Sequence, residues 1–354
     1  MRLFDYLKGR QEKKLQKERM ILCLDGGGMR GIVPATVLAH LEQLFLKLGD
    51  SRPLYSHFDL IAGTSTGGLI ALALTVPTNN ELLEQDKNGS TISRLAEIYK
   101  NYGTTIFPKN NSIIPTHVLN QLFSYKYEDR SFNTLLFDLF GERRLSEALT
   151  PTIVTAYDYK KDAPFIFSSI RTPQIPARAA ARATSAAPTF FSPAVMKNET
   201  DNDSSLLIDG GVVANNPVLY AYKEARALYP ETEKFHILSL GTGKSSNRQT
   251  GENTNSGVLG WFDPTKGTPP LYRLYASAQM NTADQIAAIL PDVEYLRIHK
   301  DFPRRVRMDE TDPLILSELV EYADQVFKEN EEALTAFCRK CVGKERRPER
   351  PRGN

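Results

Sequence analysis

A serine flanked by glycines is the residue of this chain best suited to covalent chemistry. Ser65 is the centre of the pentapeptide Gly63-Thr64-Ser65-Thr66-Gly67, and the apolar segments before and after it predict a strand and a helix. Gly-x-Ser-x-Gly between a strand and a helix is the nucleophile elbow of serine hydrolases. The turn is so sharp that the serine backbone is strained and glycines must flank it. The hydroxyl then lies over the helix N-terminus, which stabilises negative charge.

A second glycine-rich turn could supply the groups that stabilise this charge. An apolar segment at residues 20–24 predicts a strand, and it leads into the motif Asp25-Gly26-Gly27-Gly28-Met29-Arg30-Gly31. A glycine turn before a helix directs several backbone N–H groups at one point and forms an anion site. Beside Ser65, that anion would be the oxyanion of an acyl-transfer intermediate.

Two other interpretations of this glycine motif are weaker. Gly26, Gly28 and Gly31 have the spacing of a dinucleotide-binding fingerprint, but that fingerprint requires an acidic residue at the end of the second strand, about 20 residues further on. At that distance the chain still has helical periodicity, and the next predicted strand ends at Ala62 and Gly63. A purely structural turn is the other alternative, although successive glycines destabilise a chain unless the backbone requires them.

A third motif begins with an acid at the end of a predicted strand. The apolar residues 205–208 lead into Asp209, Gly210 and Gly211. An aspartate at a strand end in an α/β sheet lies at the edge where ligands bind. Burial with few partners would raise its pKa, so that it could accept the proton of a serine. Taken alone, this aspartate is better interpreted as a turn residue that caps the helix beginning near Pro217.

Together and in this order, the three motifs resemble those of patatin-like phospholipases, a family of lipid acyl hydrolases. The resemblance extends from about residue 20 to residue 243 and includes the blocks 183–191 and 239–243. It implies a Ser–Asp dyad that uses no histidine, with Ser65 as nucleophile and Asp209 as general base. It also implies a fatty-acyl ester of a glycerophospholipid as substrate and no metal or organic cofactor. The oxyanion hole would lie in the glycine motif, at Gly26, Gly27, Gly28, Arg30 and Gly31.

Two alternatives from other classes remain open. One is a carboxylesterase with a Ser–His–Asp triad, in which the histidine follows the acid along the chain. Of the five histidines, His299 has this order and follows a predicted strand. The other is a non-catalytic protein that binds a lipid or nucleotide with its glycine turns. The presence of both Ser65 and Asp209 counts against that second alternative.

Strands and helices alternate along the chain, which predicts an α/β fold. We expect a three-layer α/β/α domain with a central, mostly parallel sheet, and both glycine motifs at its carboxyl edge. This domain would span residues 20–340, between a basic N-terminal segment (1–19) and a disordered basic tail (341–354). Strands are predicted at residues 20–24, 58–62, 152–157, 165–168, 206–208, 235–240 and 293–298. Helices are predicted at residues 32–48, 68–76, 92–102, 115–123, 176–184, 217–228, 271–289 and 313–337.

The composition of the chain argues against a nucleic-acid-binding protein and against a membrane-spanning one. The net charge of +2 over 354 residues predicts no general attraction to nucleic acid. We find no apolar run of the 18 or more residues that a membrane span needs, and predict no secretory signal. Cys338 and Cys341 have C-x-x-C spacing within a predicted helix, without a second Cys or His pair nearby. We interpret the cysteines as reduced structural thiols and expect a cytoplasmic protein.

Two features suggest contact with a lipid surface. Lysines and arginines cluster at both ends of the chain, and Trp261 lies in an apolar stretch of the otherwise polar loop 244–270. An anionic bilayer attracts each basic side chain near it by about 1 kcal/mol. A peripheral contact with anionic membrane would suit a phospholipid substrate, although solvated ends are the default interpretation. The sequence does not indicate which head group the substrate has, or whether a small molecule such as a cyclic nucleotide activates the protein.

Overall fold

The computed structural model describes residues 17–78, 91–107, 125–197, 204–245, 261 and 270–342. The helix predicted at 115–123 lies outside these residues. So do most of both basic terminal segments and most of the loop around Trp261. Their predicted roles therefore stay predictions.

A mixed sheet of eight strands forms the centre of the molecule. Its order is β5-β6-β3-β2-β1-β7-β9, and β4 pairs with β3 beside this path. The five strands from β3 to β9 in this order are parallel, whereas β4 and β6 run antiparallel to β3, and β5 antiparallel to β6. The expected mostly parallel sheet is confirmed. The strands are β1 (Glu18–Leu24), β2 (Leu60–Thr64), β3 (Thr152–Asp158), β4 (Ala163–Ser168), β5 (Ala194–Lys197), β6 (Ser204–Asp209), β7 (Lys234–Leu240) and β9 (Val293–Ile298), with a separate pair β8 (Lys244–Ser245) and β10 (Asp301–Phe302).

Helices cover both faces of the sheet, as the alternation predicted. Side chains of β1 alternate between two hydrophobic cores: Leu22 and Leu24 belong to one, and Ile21 and Cys23 to the other. The first core includes residues of α1, α2, α4, α5, α9 and α10, and the second includes residues of α7 and α8. The helices are α1 (Ile32–Lys47), α2 (Thr66–Thr75), α3 (Thr91–Ile106), α4 (Asp129–Phe140), α5 (Ala177–Thr184), α6 (Gly211–Ala214), α7 (Val218–Leu228), α8 (Pro270–Ile289), α9 (Pro313–Glu329) and α10 (Glu331–Cys341).

Several elements differ from the sequence prediction. The helix predicted at 313–337 is two helices, α9 and α10, because Asn330 leaves helical geometry with φ −115° and ψ 10°. Its side-chain amide caps α9 by donating a hydrogen bond to the carbonyl of Val326. Helix α4 and strand β5 were not predicted. Strand β5 is a short strand whose side chains are half-buried or exposed, so it lacks a clear apolar alternation.

The register of three strands brings Ser65 and Asp209 to the same level of the sheet. Thr64 pairs with Thr155 in the parallel ladder of β2 and β3, so Ser65 follows at the level of Ala156. Asp209 pairs with this same Ala156 in the antiparallel ladder of β3 and β6. Its position at the end of a strand predicts Asp209 at the carboxyl edge of the sheet. Because β6 runs antiparallel to β3, the direction of β6 alone would not place its end at this edge. Asp209 reaches the edge because β6 pairs only with the last three residues of β3.

The turn from β2 into α2 packs closely against the end of β1. A Cβ atom at Gly67 would overlap with the carbonyl oxygen of Leu24, and one at Gly63 would overlap with the carbonyl of Gly67. These neighbours are backbone atoms, which cannot turn aside as a side chain can. The glycines of the Gly-x-Ser-x-Gly motif are therefore required by this close approach.

This packing predicts the effect of a single methyl group. We expect Gly67→Ala to lower the free energy of unfolding by about 3 kcal/mol or more, because the added Cβ must displace the backbone of β1. Gly49→Ala is the matched control, since Gly49 has φ +81° but no atom near its Cβ position. It should lose only about 1 kcal/mol, from backbone conformation alone. Denaturant unfolding measures both variants, and equal losses would contradict the predicted clash.

Candidate active site

Ser65 occupies a strained turn that its neighbours hold in place. Its backbone has φ 53° and ψ −123°, a region that L-residues seldom adopt. The Ser65 N–H donates a hydrogen bond to the Thr184 hydroxyl at 2.8 Å, and its carbonyl accepts from the Leu69 N–H at 3.0 Å. Strain of this kind costs about 1–3 kcal/mol and persists where the surroundings enforce it. Ser65 has the predicted elbow geometry.

Asp209 has the surroundings of a base. It is 1% exposed, and burial raises its pKa to about 7. Hydrogen bonds with the amide of Gly211 and the side chain of Ser65 oppose this rise in pKa. The Gly211 N–H lies 2.7 Å from Oδ1. Among the residues described, no Lys, Arg or His makes an ion pair with Asp209. Its carboxylate can therefore exchange a proton near neutral pH with the hydroxyl beside it.

The backbone of the glycine motif lies against this pair of residues. A Cβ atom at Gly26 would lie 3.3 Å from the Cβ atom of Ser65 and 2.6 Å from Oδ1 of Asn215. The structure does not leave the Gly26 amide available for an oxyanion, because its N–H donates to the carbonyl of Asn215 at 3.0 Å. We therefore correct this part of the prediction. Gly26 allows close packing against Ser65 and supplies no donor.

The next two amides differ from that of Gly26. No residue in the described ranges accepts a hydrogen bond from the N–H of Gly27 or Gly28. Gly28 has φ +59°, and a Cβ atom there would overlap with the carbonyl oxygen of Met308. That same carbonyl accepts a hydrogen bond from the Met29 N–H at 2.7 Å. The segment around Met308 thus fixes the turn that holds both amides.

Arg30 and Gly31 also support the loop. Nε of Arg30 donates to the carbonyl of Gly27 at 3.3 Å, and Nη1 donates to the carbonyl of Gly243 at 3.1 Å. Gly31 packs so tightly that a Cβ atom would overlap with the hydroxyls of Thr66 and Tyr99. Both residues lie close to the site, and their predicted place in the oxyanion hole stays a prediction.

An ion pair beneath the glycine motif was missed by the sequence analysis. Asp25 is fully buried, and its carboxylate accepts hydrogen bonds from both Nη atoms of Arg297 on β9. Arg297 also donates to the Ser239 hydroxyl at 2.8 Å and lies 3.3 Å from a carboxylate oxygen of Asp284. Burial raises the pKa of Asp25 to about 6, against the effect of Arg297. A lone arginine in a predicted buried strand is a signal that could have suggested this pair.

A second unpredicted group anchors the segment of Met308. Its neighbour Asp309 is buried and accepts hydrogen bonds from Lys126, from the Tyr127 hydroxyl at 2.8 Å and from Arg307 at 2.9 Å. These donors hold the pKa of the Asp309 carboxyl well below its usual range, although burial acts in the opposite direction. No sequence motif marks this residue, because two of its partners, Lys126 and Tyr127, lie far away along the chain.

His299 lacks the contacts of a triad histidine. Its ring packs against Gly241, and both ring nitrogens are buried without a hydrogen-bond partner in the described chain. Burial and the nearby cations Arg297, Arg30 and Lys244 lower its pKa to about 3. A triad histidine requires a carboxylate on one nitrogen and the serine on the other. The geometry therefore does not support the alternative that uses His299.

A largely apolar cavity opens beside Ser65. The space within it, part of which is open to solvent, amounts to about 540 Å³. Its wall includes Ser65 and Gly28, so both the elbow and the glycine motif border it. Aliphatic and aromatic side chains form most of the remainder, including Met29, Leu69, Ile106, Phe107, Phe132, Phe190 and Phe191. Such a wall suits a hydrocarbon chain.

Within the described ranges, no group of three or more His, Cys, Asp or Glu side chains has an arrangement that could hold a metal ion. The helices described there include none that is long and apolar enough to cross a membrane. Cys23, Cys338 and Cys341 are buried free thiols, and the last two lie in α10, which continues past the end of the helix predicted at 313–337.

The chain is similar to known proteins over most of its length. A family model described as patatin-like phospholipase matches residues 22–222. Patatin-like protein 2 of Oryza sativa subsp. indica is 32% identical over 331 residues, which cover 83% of this chain and 80% of the rice protein. Patatin-like protein 2 of Arabidopsis thaliana is 32% identical over 318 residues, covering 79% and 75%.

Two further matches are a relative that is named as probably inactive and a solved structure. A protein of Solanum tuberosum named probable inactive patatin-3-Kuras 1 is 30% identical over 269 residues, covering 69% of this chain and 68% of its own. The crystal structure of VipD from Legionella pneumophila aligns with 91% of this chain and 67% of VipD, at a TM-score of 0.45 and 12% identity.

The buried carboxylate of Asp209 makes a prediction about stability. Its pKa is about 7 in the folded protein and about 3.9 in an unfolded chain. A carboxyl group whose pKa is raised on folding stabilises the folded protein at pH values below its unfolded pKa. This stabilisation is lost as the pH rises through the folded pKa of about 7. At about pH 8 we therefore expect the free energy of unfolding of Asp209→Asn to exceed that of the wild type by roughly 2–4 kcal/mol. Denaturant unfolding measures this difference.

The difference should shrink as the pH falls to about 3, where the wild-type carboxyl is mostly protonated in both states. Asp138→Asn, at an exposed position of α4, is the matched control and should show no such gain. A gain for Asp209→Asn that is the same at both pH values would contradict the assigned effect of burial.

Proposed function

Because the chain belongs to the patatin-like phospholipase family, we propose that it hydrolyses fatty-acyl esters of glycerophospholipids through an acyl-serine intermediate. One observation carries this proposal. A buried carboxylate with a raised pKa acts as a hydrogen-bond partner of a serine on a strained elbow, with an apolar cavity beside that serine. Serine is a weak nucleophile until a base takes its proton, and Asp209 would be that base.

In the first step, the Ser65 oxygen attacks the carbonyl carbon of the ester while Asp209 accepts the hydroxyl proton. The carbonyl oxygen becomes an oxyanion, to which the amides of Gly27 and Gly28 would donate. Such preorganised donors act most strongly where water is excluded, and losing one commonly lowers kcat by about 100- to 1000-fold. The proton held by Asp209 then passes to the leaving alcohol oxygen, and an acyl-serine ester remains.

In the second step, water replaces the alcohol. Asp209 removes a proton from the water, whose oxygen attacks the acyl-serine carbonyl. The carbon–oxygen bond to Ser65 breaks, the proton returns to the Ser65 oxygen, and the fatty acid leaves. The cavity of about 540 Å³ would hold the acyl chain through both steps. Burying each methylene is favourable by about 0.8 kcal/mol, which favours long chains over short ones.

Family membership alone does not establish activity, since one relative is named as probably inactive. For this chain, the proposal depends on the residues present and on their contacts. Contact with an anionic membrane stays a prediction, because most of the basic ends lie outside the described residues. Activation by a cyclic nucleotide has no support from the comparisons and is not part of the proposal.

Substitutions of the dyad test the proposed mechanism. We expect Ser65→Ala and Asp209→Asn each to lower phospholipid hydrolysis by several orders of magnitude, and the double variant to be little worse, because the two residues act as a unit. His299→Gln should retain most of the activity, since His299 contacts neither Ser65 nor a carboxylate. Mass spectrometry of fatty acids released from mixed phospholipid vesicles measures all four variants.

The alternatives predict other results. If folded His299→Gln is as inactive as Ser65→Ala, the triad is correct and the dyad is wrong. If the wild type releases no fatty acid from any lipid or short-chain ester, the non-catalytic alternative is correct.

The raised pKa of Asp209 predicts the pH dependence of the reaction. The base must be ionised, so kcat/KM should fall as the pH decreases through about 7 and become constant above it. The profile is measured with a soluble short-chain ester, which removes the effect of pH on lipid surfaces. A rate that does not change between about pH 5 and pH 9 would exclude a base with this pKa.

A further inference from the structure

A second cavity lies on the other side of the glycine motif. It encloses about 750 Å³, and its wall includes Arg30, Asn215 and Thr242. Both cavities are lined by Met308, whose carbonyl fixes the glycine turn. Asn215 also borders the catalytic residues, because its Oδ1 would lie 2.6 Å from a Cβ atom at Gly26 and 3.4 Å from one at Gly211. The second cavity therefore adjoins the dyad without containing it.

The wall of this cavity is strongly basic. Among the described residues that line it, five are basic and none is acidic: Arg30, Lys244, Arg273, Arg305 and Arg307. Arg30 donates to the carbonyls of Gly27 and Gly243, and Arg307 is paired with Asp309. Lys244 lies on β8, Arg273 at the start of α8 and Arg305 in the segment before Met308.

The basic groups are close enough to affect one another. Arg273 contributes to lowering the pKa of Arg30 to about 10, after the larger effect of burial. Arg30 and Lys244 both contribute to lowering the pKa of His299. Like charges gathered in one partly buried space repel, and an anion bound among them relieves that repulsion.

We propose that this cavity binds the anionic oxygens of a phosphate ester, with Lys244 and Arg273 as principal donors. The proposal rests on the proposed function and adds to it the recognition of the substrate's head. Arginine and lysine form charge-assisted hydrogen bonds with phosphate, and several donors can share one phosphate group. The same chemistry is offered by the phosphate of a phospholipid head and by a free phosphorylated ligand.

The arrangement of the two cavities matches the covalent structure of a glycerophospholipid. Its acyl esters and its phosphate are attached to one short glycerol unit. With an acyl carbonyl at Ser65 and the acyl chain in the apolar cavity, the phosphate lies a few bonds away, toward Asn215 and the basic wall. The glycine motif separates the two cavities, so it would lie against the glycerol between the two ends of the lipid.

The test compares two lipids that differ in the phosphate. Phosphatidylcholine and diacylglycerol with identical acyl chains are presented in micelles of an uncharged detergent. Neither lipid has a net charge, so general electrostatic adsorption does not favour one of them. The measured quantity is the ratio of kcat/KM for phosphatidylcholine to kcat/KM for diacylglycerol. General damage to the catalytic dyad affects both substrates and leaves the ratio unchanged.

We expect Lys244→Gln and Arg273→Gln each to lower this ratio, and the double variant to lower it roughly tenfold or more, as expected for lost charge-assisted hydrogen bonds. Arg304→Gln is the matched control. It removes the same charge from the segment before Met308, but Arg304 pairs with Glu318 and does not line the cavity. The ratio should be unchanged in this control, and thermal unfolding verifies that all variants are folded.

A second arm identifies the source of the phosphate. Glycerol 3-phosphate is titrated into the wild type and the double variant by calorimetry, and its effect on diacylglycerol hydrolysis is measured. A lower lipid ratio in the double variant assigns the cavity to the lipid head. An unchanged ratio, together with binding of glycerol 3-phosphate by the wild type alone, assigns it to a free ligand.

If the double variant keeps the wild-type ratio and binds glycerol 3-phosphate as the wild type does, the proposal is overturned. It is equally overturned if neither protein binds this ligand and the ratio is unchanged. Failure of the proposed function gives a different result, in which the wild type hydrolyses neither lipid. The calorimetric arm then still decides whether the cavity binds a phosphate ester.

Discussion

The buried charge of Asp25 is the constraint on which the rest of the site depends. This residue is the junction between β1 and the glycine motif, and three other parts of the chain meet there. Its N–H donates to the carbonyl of Leu240 on β7, its carboxylate binds Arg297 on β9, and Gly67 of the elbow packs against its carbonyl. Removing one partner of a buried ion pair commonly costs about 3–5 kcal/mol. Here that free energy fixes the relative positions of the glycine motif and the serine.

Three buried carboxylates of the site differ mainly in their cations. Asp25 has one arginine, Asp309 has an arginine and a lysine, and Asp209 has no paired cation among the residues described. The pKa accordingly lies well below its usual range for Asp309 and is raised to about 6 for Asp25 and about 7 for Asp209. The carboxylates of Asp25 and Asp309 each tie distant parts of the chain together, whereas Asp209 has no paired cation among the residues described and borders Ser65.

Much of the fold and the centre of the site could be predicted from the sequence. Apolar periodicity predicted seven of the strands, and local motifs predicted Ser65 on its elbow and Asp209 near it. Local patterns contain this information because a strained turn requires glycines within two residues of the serine. They could not show that β6 runs antiparallel, since a run of apolar residues has no direction in a sheet.

The missing parts all depend on contacts between distant segments. The Gly26 amide is engaged because Asn215 lies opposite it, and Arg30 turns to the carbonyls of its own loop and of Gly243. The Asn330 break in the last long helix was visible only weakly, because asparagine is tolerated inside helices as well as at their ends. Arg297 and Asp309 stand in no motif at all. Their roles follow from tertiary packing, which no window of neighbouring residues contains.

The order in which the chain supplies these parts has a consequence for its synthesis. A growing chain that has emerged as far as α7 contains both Ser65 and Asp209, but not yet Arg297 or Met308. At that stage the charge of Asp25 has no arginine, and the glycine turn lacks the carbonyl that holds the Met29 N–H. Proteins emerge and fold from the N-terminus at about 5–20 residues per second. The glycine turn therefore gains its last stabilising contacts late in synthesis, and a partly translated chain lacks them.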